Sequence, residues 1–282
     1  MAGVVELTRA PSTGAAFRRG ALDLLRRRPA EAGLPDTTLV LRGVSVDREH
    51  LAAYDRVCGY RLRDRLPPTY PHVLAFPLAV HLMSSVDFPL PLARIVHLAN
   101  RIEVLRPVEA GDRLELTVRA ADLRDHERGR QVDVLATASV ADEVVWRGVS
   151  TYLHRSRDPV DRPAPRDRPQ PPRANAVWHV GREVGPRYAE VSGDRNPIHT
   201  SRLAARALGF RRSIAHGMWS KARCLAALEG RLPDRYAVEV AFKLPVMLPA
   251  TIDFSAVPAG DGWAIALHGH GTARPHLTGT VD

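Results

Sequence analysis

Lysine is nearly missing from this chain. Lys221 and Lys243 are the only two, so almost all of the positive charge is arginine. Cysteine is as scarce: Cys58 and Cys224 stand in different halves, which excludes a disulfide framework and a cysteine-based metal cluster. No apolar run approaches the roughly 20 residues a membrane helix needs. The apolar stretch 2–7 is too short for a secretory signal. These absences lead to the expectation of a soluble, cytoplasmic protein with no membrane partner, whose thiols stay reduced.

What is present is a chain of 282 residues, 45% hydrophobic and 25% charged, which is enough for two domains with real cores. The net charge is +9 and the pI about 10.3. A basic balance of this kind suits nucleic acid, or an acidic partner such as a carrier protein or a nucleotide-tailed coenzyme. The arginines are scattered and no aromatic residues interleave with them, which argues against nucleic acid.

Proline and charge concentrate in one segment, 155–173, reading RSRDPVDRPAPRDRPQPPR. It has no apolar period and reads as a linker. The expected organisation is an N-terminal unit over 1–154, a linker over 155–176 and a C-terminal unit over 177–282. The two units read as copies. YDRVCGYR begins at Tyr54 and YAEVSGDR at Tyr188, 134 residues on, and each ends a short helix. Arg106-Pro107-Val108 and Leu244-Pro245-Val246 each precede an alternating strand. Each unit is expected to run from a short helix (48–57; 187–192) through a loop to a longer apolar helix (78–86; 218–228). Alternating strands then follow over 113–119, 132–138 and 144–153, or over 250–257 and 263–267. A long helix wrapped by an antiparallel sheet is an α+β layout.

Chemistry concentrates between Tyr188 and Met218. Ser192-Gly193 ends a helix, Asn196-Pro197 is a turn signal, and Thr200 or Ser201 caps a further helix running to Leu208. Asp194 and His199 are thereby held on one tight loop, a carboxylate and an imidazole able to converge on one small molecule. The bland alternative is that Asp194 caps the turn and His199 lies on the surface. Ile214-Ala215-His216-Gly217-Met218 follows and opens the long helix; Phe242-Lys243-Leu244-Pro245-Val246 opens a strand. His268 and His270 share one side of a strand but have no third metal ligand, so they read as a solvent-facing pair.

SGDRNPIH (192–199), IAHGM (214–218) and FKLPV (242–246) resemble, in order and spacing, the signatures of the MaoC-like dehydratases, or (R)-specific enoyl-thioester hydratases. The whole chain resembles their double hot-dog members. The resemblance implies two hot-dog units in one chain, catalysing the reversible dehydration of (R)-3-hydroxyacyl thioesters to trans-2-enoyl thioesters. It implies Asp194 and His199 as catalytic residues and Gly217 as the backbone donor to the thioester carbonyl. It implies coenzyme A or acyl carrier protein as thioester carrier, no metal or redox cofactor, and a homodimer of double hot-dogs. Asn196, His216 and Trp219 join Gly217 as expected substrate contacts, Trp219 lining the acyl pocket or else the core. Many members carry a serine six residues after the HGM histidine; here that position is Ala222, with Ser220 nearby. In the first unit Tyr60 stands where Asp194 does, Arg65 where His199 does, and Pro77 roughly where His216 does. Arginine stays protonated and tyrosine titrates far above neutrality, so the first unit reads as a decayed copy that either widens the tunnel for a long acyl chain or only supports the packing. The alternatives are a silent thioester- or partner-binding module and a thioesterase. Arg206, Arg211 and Arg212 are expected either to meet the phosphates of coenzyme A or an acidic carrier protein, or to form a solvated face.

Overall fold

A computed structural model describes residues 3–22, 33–155 and 170–282. Most of the linker therefore lies outside the described residues.

The first unit runs β1 (Gly3–Leu7), α1 (Thr13–Leu22), β2 (Thr37–Val44), α2 (Arg48–Cys58), α3 (Tyr70–Met83), β3 (Ile95–Val104), β4 (Leu114–His126), β5 (Gly129–Val140) and β6 (Glu143–Arg155). The second runs β7 (Ala176–Val180), α4 (Val184–Ser192), α5 (Pro197–Thr200), α6 (Arg202–Ala207), α7 (Gly217–Ala227), β8 (Tyr236–Phe242), β9 (Ala250–Ala259), β10 (Gly262–Gly269) and β11 (Pro275–Val281). Among the described residues no helix is long and apolar enough to cross a membrane.

Among the described residues eleven strands form one sheet in the order β1-β2-β4-β5-β6-β3-β8-β11-β10-β9-β7. Apart from the edge strand β1, the two units repeat one topology: β2-β4-β5-β6-β3 answers β7-β9-β10-β11-β8. They join where β3 pairs antiparallel with β8, from Ala99↔Ala241 to Val104↔Tyr236. The fold is a double hot-dog. In each unit a helix lies against the concave face of the sheet, α3 in the first and α7 in the second. Leu78, Val80, Leu114, Leu116 and Val132 close the first core, and Ala222, Leu225, Ile252, Leu267 and Leu277 the second. Each such side chain contributes about 1.5–3 kcal/mol on burial when large and apolar.

Local sequence explains the repeated helix ends. Gly59 (φ 81°) and Gly193 (φ 72°) both take the left-handed conformation and return their N–H to the carbonyls of Asp55 and Ala189. The helices α2 and α4 meet at the seam, where the rings of Tyr54 and Tyr188 lie 6.1 Å apart.

The first long helix departs from expectation. It occupies Tyr70–Met83, not 78–86, and Pro77 lies inside it. Pro71 occupies the opening turn, where proline is tolerated, and apolar packing on all sides holds the helix through Pro77. The residue that caps α3, as His216 caps α7, is therefore Thr69 and not Pro77. FKLPV closes β8 and connects it to β9; it does not open a strand. His268 is buried and His270 lies beyond the end of β10, so they are not a solvent-facing pair; His270 Nδ1 meets Asp253 Oδ1 at 2.7 Å.

One buried group in this scaffold carries a penalty. Asp55 is 1% exposed, and neither carboxylate oxygen has a hydrogen-bond partner. Burial and the neighbouring Glu229 push its pKa up to about 7, against the pull of Arg63 and Arg56. In the unfolded chain an aspartate titrates near about 3.9. The folded chain thus holds an extra proton between those values. Its contribution to stability is full below about 4 and is lost as the pH rises to about 7. Asp55→Asn is therefore expected to be the more stable protein at pH 8, by about 1–3 kcal/mol, and equal to wild type near pH 4. Denaturant melts at the two pH values check this; an equal difference at both would contradict it.

Candidate active site

The segment 193–216 of the second unit replaces the short connection 59–69 of the first, and it carries the polar residues. Its course is set by local capping. Asn196 Oδ1 accepts the Ile198 N–H at 3.3 Å and starts α5; Ser201 Oγ accepts the Ala204 N–H at 3.3 Å and starts α6. Asp194 Oδ1 accepts the Asn196 N–H at 3.2 Å, which fixes the carboxylate at the head of the turn. Gly185 on α4 lets the loop come close, because a Cβ there would collide with the His199 carbonyl. The loop is clasped from outside: Ala215 N–H donates to Val246 O at 2.9 Å, so FKLPV pins IAHGM in place.

Asp194, His199 and His216 converge. Asp194 Oδ2 lies 4.0 Å from His199 Nε2 and 3.9 Å from His216 Nε2, and the two imidazoles stack with centroids 3.6 Å apart. The tautomers follow from their partners. His199 Nδ1 faces the Ile214 carbonyl at 2.8 Å. A carbonyl only accepts, so Nδ1 carries the proton and Nε2 turns a lone pair toward Asp194. His216 Nε2 faces the Asp194 backbone carbonyl at 2.9 Å and by the same logic is an N–H.

Burial governs the titration of all three. It raises the Asp194 pKa, against the opposing effects of His199 and the Asn196 N–H. It lowers that of His199, although Asp194 and the Ile214 carbonyl pull the other way. It drives that of His216 well down, with His199 adding to the effect. His199 is thus expected to titrate below its ordinary value of about 6.5. It should fall further in Asp194→Asn, which removes a charge that favours the imidazolium. Imidazole chemical shifts followed against pH measure both; a His199 midpoint at or above the ordinary value would refute the first expectation.

The same three residues are the one group, among those described, whose ligand atoms lie close enough to hold a metal ion, all within 4.8 Å. The donor set does not fit one well. His216 Nε2 is spent as a donor to a carbonyl, and His199 has only Nε2 left.

Gly217 opens α7. The first hydrogen bond of that helix runs from the Ser220 N–H to the His216 carbonyl at 3.1 Å, so the Gly217 N–H has no helical partner. It sits at the positive end of the helix. Gly217, Asn196, His199 and Asp194 all line one cavity of about 770 Å³. Trp219 does not. Helical periodicity turns it away, toward α2, where Nε1 donates to the Val57 carbonyl at 3.0 Å; it is a core residue of the seam. Ser220 lines the cavity, its Oγ 3.4 Å from the His216 carbonyl, while Ala222 is fully buried elsewhere in the helix. None of Arg206, Arg211 and Arg212 lines the cavity; Arg128, Arg155 and Lys243 do.

The cavity does not stop at the unit boundary. From the first unit, His72, Phe76, Val80, Met83, His97 and Tyr152 line it. Tyr152 stacks on His97 at 4.6 Å, and His97 packs against Phe242 at 4.9 Å. These contributors come from α3, β3 and β6 and had no local motif to announce them; the bulge between His97 and Ala99 was the sole irregularity in β3.

Tyr60 and Arg65 line a different, smaller cavity. At the α3 end of the first unit, the Tyr70 N–H is already bonded to the Pro67 carbonyl at 2.8 Å, and Pro71 has no N–H at all. The backbone donor offered at Gly217 has no equivalent there.

Comparison with known proteins finds one family model in each half of the chain. The family model described as MaoC like domain matches residues 168–265. The one described as FAS1-like, dehydratase domain region, matches residues 46–147. The chain is 38% identical over 256 residues to 3-hydroxyacyl-thioester dehydratase X of Mycobacterium tuberculosis, covering 90% of this chain and 91% of that protein. It superposes on the crystal structure of HtdX from the same organism with TM-score 0.78 and 37% identity, over 86% of this chain and 98% of that one. The MaoC-like dehydratase from Phytophthora capsici shares the fold, with TM-score 0.71 at 19% identity, over 86% and 94% of the two chains.

Proposed function

Since the chain belongs to the MaoC-like dehydratase family, we propose that it is a hydro-lyase interconverting (R)-3-hydroxyacyl and trans-2-enoyl thioesters at a single site built on Asp194, His199 and Gly217. The observation that carries this reading is the 4.0 Å gap between Asp194 Oδ2 and His199 Nε2 on the wall of the large cavity. One water oxygen can sit within hydrogen-bond reach, about 2.7–3.2 Å, of both atoms at once. In hydration that water adds at C3. A proton passes from water to the pair, and the pair returns a proton to C2. In dehydration the C2 proton goes to the pair and the 3-hydroxyl leaves as water. The pair needs only one shared proton for either direction, and desolvation, which brings the two pKa values toward each other, suits that sharing. Charge that develops on the thioester oxygen as the C2–H bond forms or breaks meets the Gly217 N–H and the α7 dipole. His216 holds the Asp194 backbone in place, and Asn196 starts the turn.

The first unit, over 1–154, supplies the far wall of the cavity in this account and the second, over 177–282, the chemistry. An acyl tail leaving the dyad runs along Phe76, Val80 and Met83. Met83→Trp is expected to lower kcat/KM for trans-2-decenoyl-CoA by about tenfold or more, with crotonyl-CoA unchanged. Equal losses on both substrates would contradict the tail assignment. Arg128, Arg155 and Lys243 give the cavity a basic lining suited to the phosphates of coenzyme A or of a carrier-bound pantetheine arm. Two buried free thiols suit a reducing cytoplasm.

The reaction is tested by following enoyl absorbance and free thiol together with crotonyl-CoA as substrate. Loss of absorbance without thiol, giving the (R)-alcohol, is expected. Thiol release would mark a thioesterase, and no change in either would mark a silent binding module.

A further inference from the structure

The outer surface of the segment 193–216 carries charge of one sign. Residues 195–228 contain no aspartate or glutamate, and Arg195, Arg202, Arg206, Arg211 and Arg212 all fall among them. All five are exposed. Among the described residues the ion pairs of this segment join only Asp194 to His199 and His216, so none of the five has an acidic partner. The corresponding connection of the first unit, 59–69, is built differently. There Arg63 meets Glu229, and Arg65 meets Glu109 and Asp234.

The helix α6 adds an apolar element to this charge. Leu203 is 79% exposed, more than any other large apolar side chain among the described residues, and Leu208 is 49% exposed. Ala205 is the residue that α6 buries. Arg202, Leu203 and Arg206 therefore share its outer face, three and four residues apart. Exposed leucines rimmed by unpaired arginines mark a surface that another macromolecule covers. The patch is also continuous with the large cavity: Ile198 before α6 and Phe210 after it line that cavity, while the five arginines stay outside its wall.

We propose that α6 and its flanks, residues 195–212, are the docking surface of an acidic acyl carrier protein, whose pantetheine arm enters the cavity beside Ile198 and Phe210. This rests on the thioester reading above. A carrier protein presents carboxylates with apolar side chains between them, which matches arginines and leucines together. It remains outside and sends in only its arm, which matches a patch at the cavity's edge and not in its wall. The nucleotide end of coenzyme A can meet arginines, but it has no apolar side chains to cover Leu203 and Leu208. A second copy of this chain, docked by a two-fold contact on the same patch, would set five arginines against five. An anionic membrane would satisfy both residue types but offers no thioester to the cavity.

Calorimetric titration of the intact protein with pantetheinylated acyl carrier protein tests the surface without relying on turnover. Wild type is expected to bind. Arg206→Glu is expected to weaken binding at least about tenfold, since it sets like charges against each other, and Leu203→Ser at least about fivefold. Both side chains are exposed, so folding is retained, which melting temperatures check. Arg119→Glu reverses an exposed arginine on β4, away from the patch, and is expected to bind as wild type does. In hydration assays Arg206→Glu is expected to lower kcat/KM for the crotonylated carrier by about the same factor as its binding, and to leave crotonyl-CoA within about twofold. Hydration of neither substrate would remove the hydro-lyase reading, and the titration would still decide the docking surface. The proposal fails if wild type binds no carrier protein, if Arg119→Glu weakens binding as much as Arg206→Glu, or if Arg206→Glu lowers both substrates equally. It fails as well if phosphatidylglycerol vesicles are bound through Arg206 and the carrier protein is not.

Discussion

Replacing Asp194 by asparagine is expected to lower kcat/KM for enoyl-thioester hydration by about 10²–10⁴-fold, the range of a positioned acid–base group, with folding intact. Asparagine keeps the Oδ1 that accepts the Asn196 N–H at 3.2 Å, so the turn survives. What it loses is the anionic Oδ2 that faces His199 Nε2 across 4.0 Å. The shared proton then has one home in place of two. His199→Gln is expected to cost a similar factor, and the double variant little more than either single one, because both act on one proton and one water. The loss should fall on kcat and not on KM, since neither group is needed to hold the acyl tail. Steady-state rates with crotonyl-CoA decide it. A variant within about twofold of wild type would remove Asp194 from the chemistry, and additive losses would mean that the two groups act independently.

The largest expected effect on stability lies elsewhere, at Lys221. It is fully buried in α7, beneath the junction of the two units. Its ammonium donates to Asn100 Oδ1 at 2.6 Å, to Asn100 O at 3.1 Å and to Val238 O at 3.1 Å. Burial pulls its pKa well below the ordinary lysine value, while Glu239 works in the opposite direction. Three N–H groups meet three oxygens, and the set ties the second unit's helix to β3 of the first and β8 of the second. Asn100 is held in turn by its Nδ2, which donates to Ser150 Oγ at 3.0 Å. Lys221→Met keeps the aliphatic length and strands three buried acceptors. A loss of about 3–5 kcal/mol is expected, or roughly 5–8 °C in melting temperature for a chain of this size. Denaturant unfolding measures it. A change under about 0.5 kcal/mol, the scale of surface substitutions, would show that the network is not stabilising.

The candidate active-site loop was legible in the sequence because its parts are local. Gly193, Asp194, Asn196, Pro197 and His199 lie within seven residues, and their turn chemistry alone sets their mutual geometry. The seam was not legible. Asn100 and Lys221 are 121 residues apart and meet only through the β3–β8 pairing. The same holds for His97 and Tyr152, which reach the cavity from strands of the other unit. The strand β3 itself shows no clean alternation, because it is central in the sheet and bulged between His97 and Ala99. Trp219 misled for a simpler reason. Adjacency to Gly217 in sequence does not place it on the same helix face. Pro77 does not stand where His216 does, because surrounding apolar contacts carry α3 past it. The repeat was visible at the helix ends and in the two clasp segments, where capping and hydrogen bonding are local; the unequal connecting segments, 59–69 and 193–216, blurred it between.

The central claim is that one half of a duplicated fold carries the chemistry. The most direct measurement compares matched double variants in a single crotonyl-CoA assay: Asp194→Asn with His199→Gln in the second unit, Tyr60→Phe with Arg65→Met in the first. The second-unit variant is expected to lose hydration by about 10²-fold or more, while the first-unit variant stays within about twofold of wild type. Comparable losses from both, or a second-unit variant that still turns over, would contradict it.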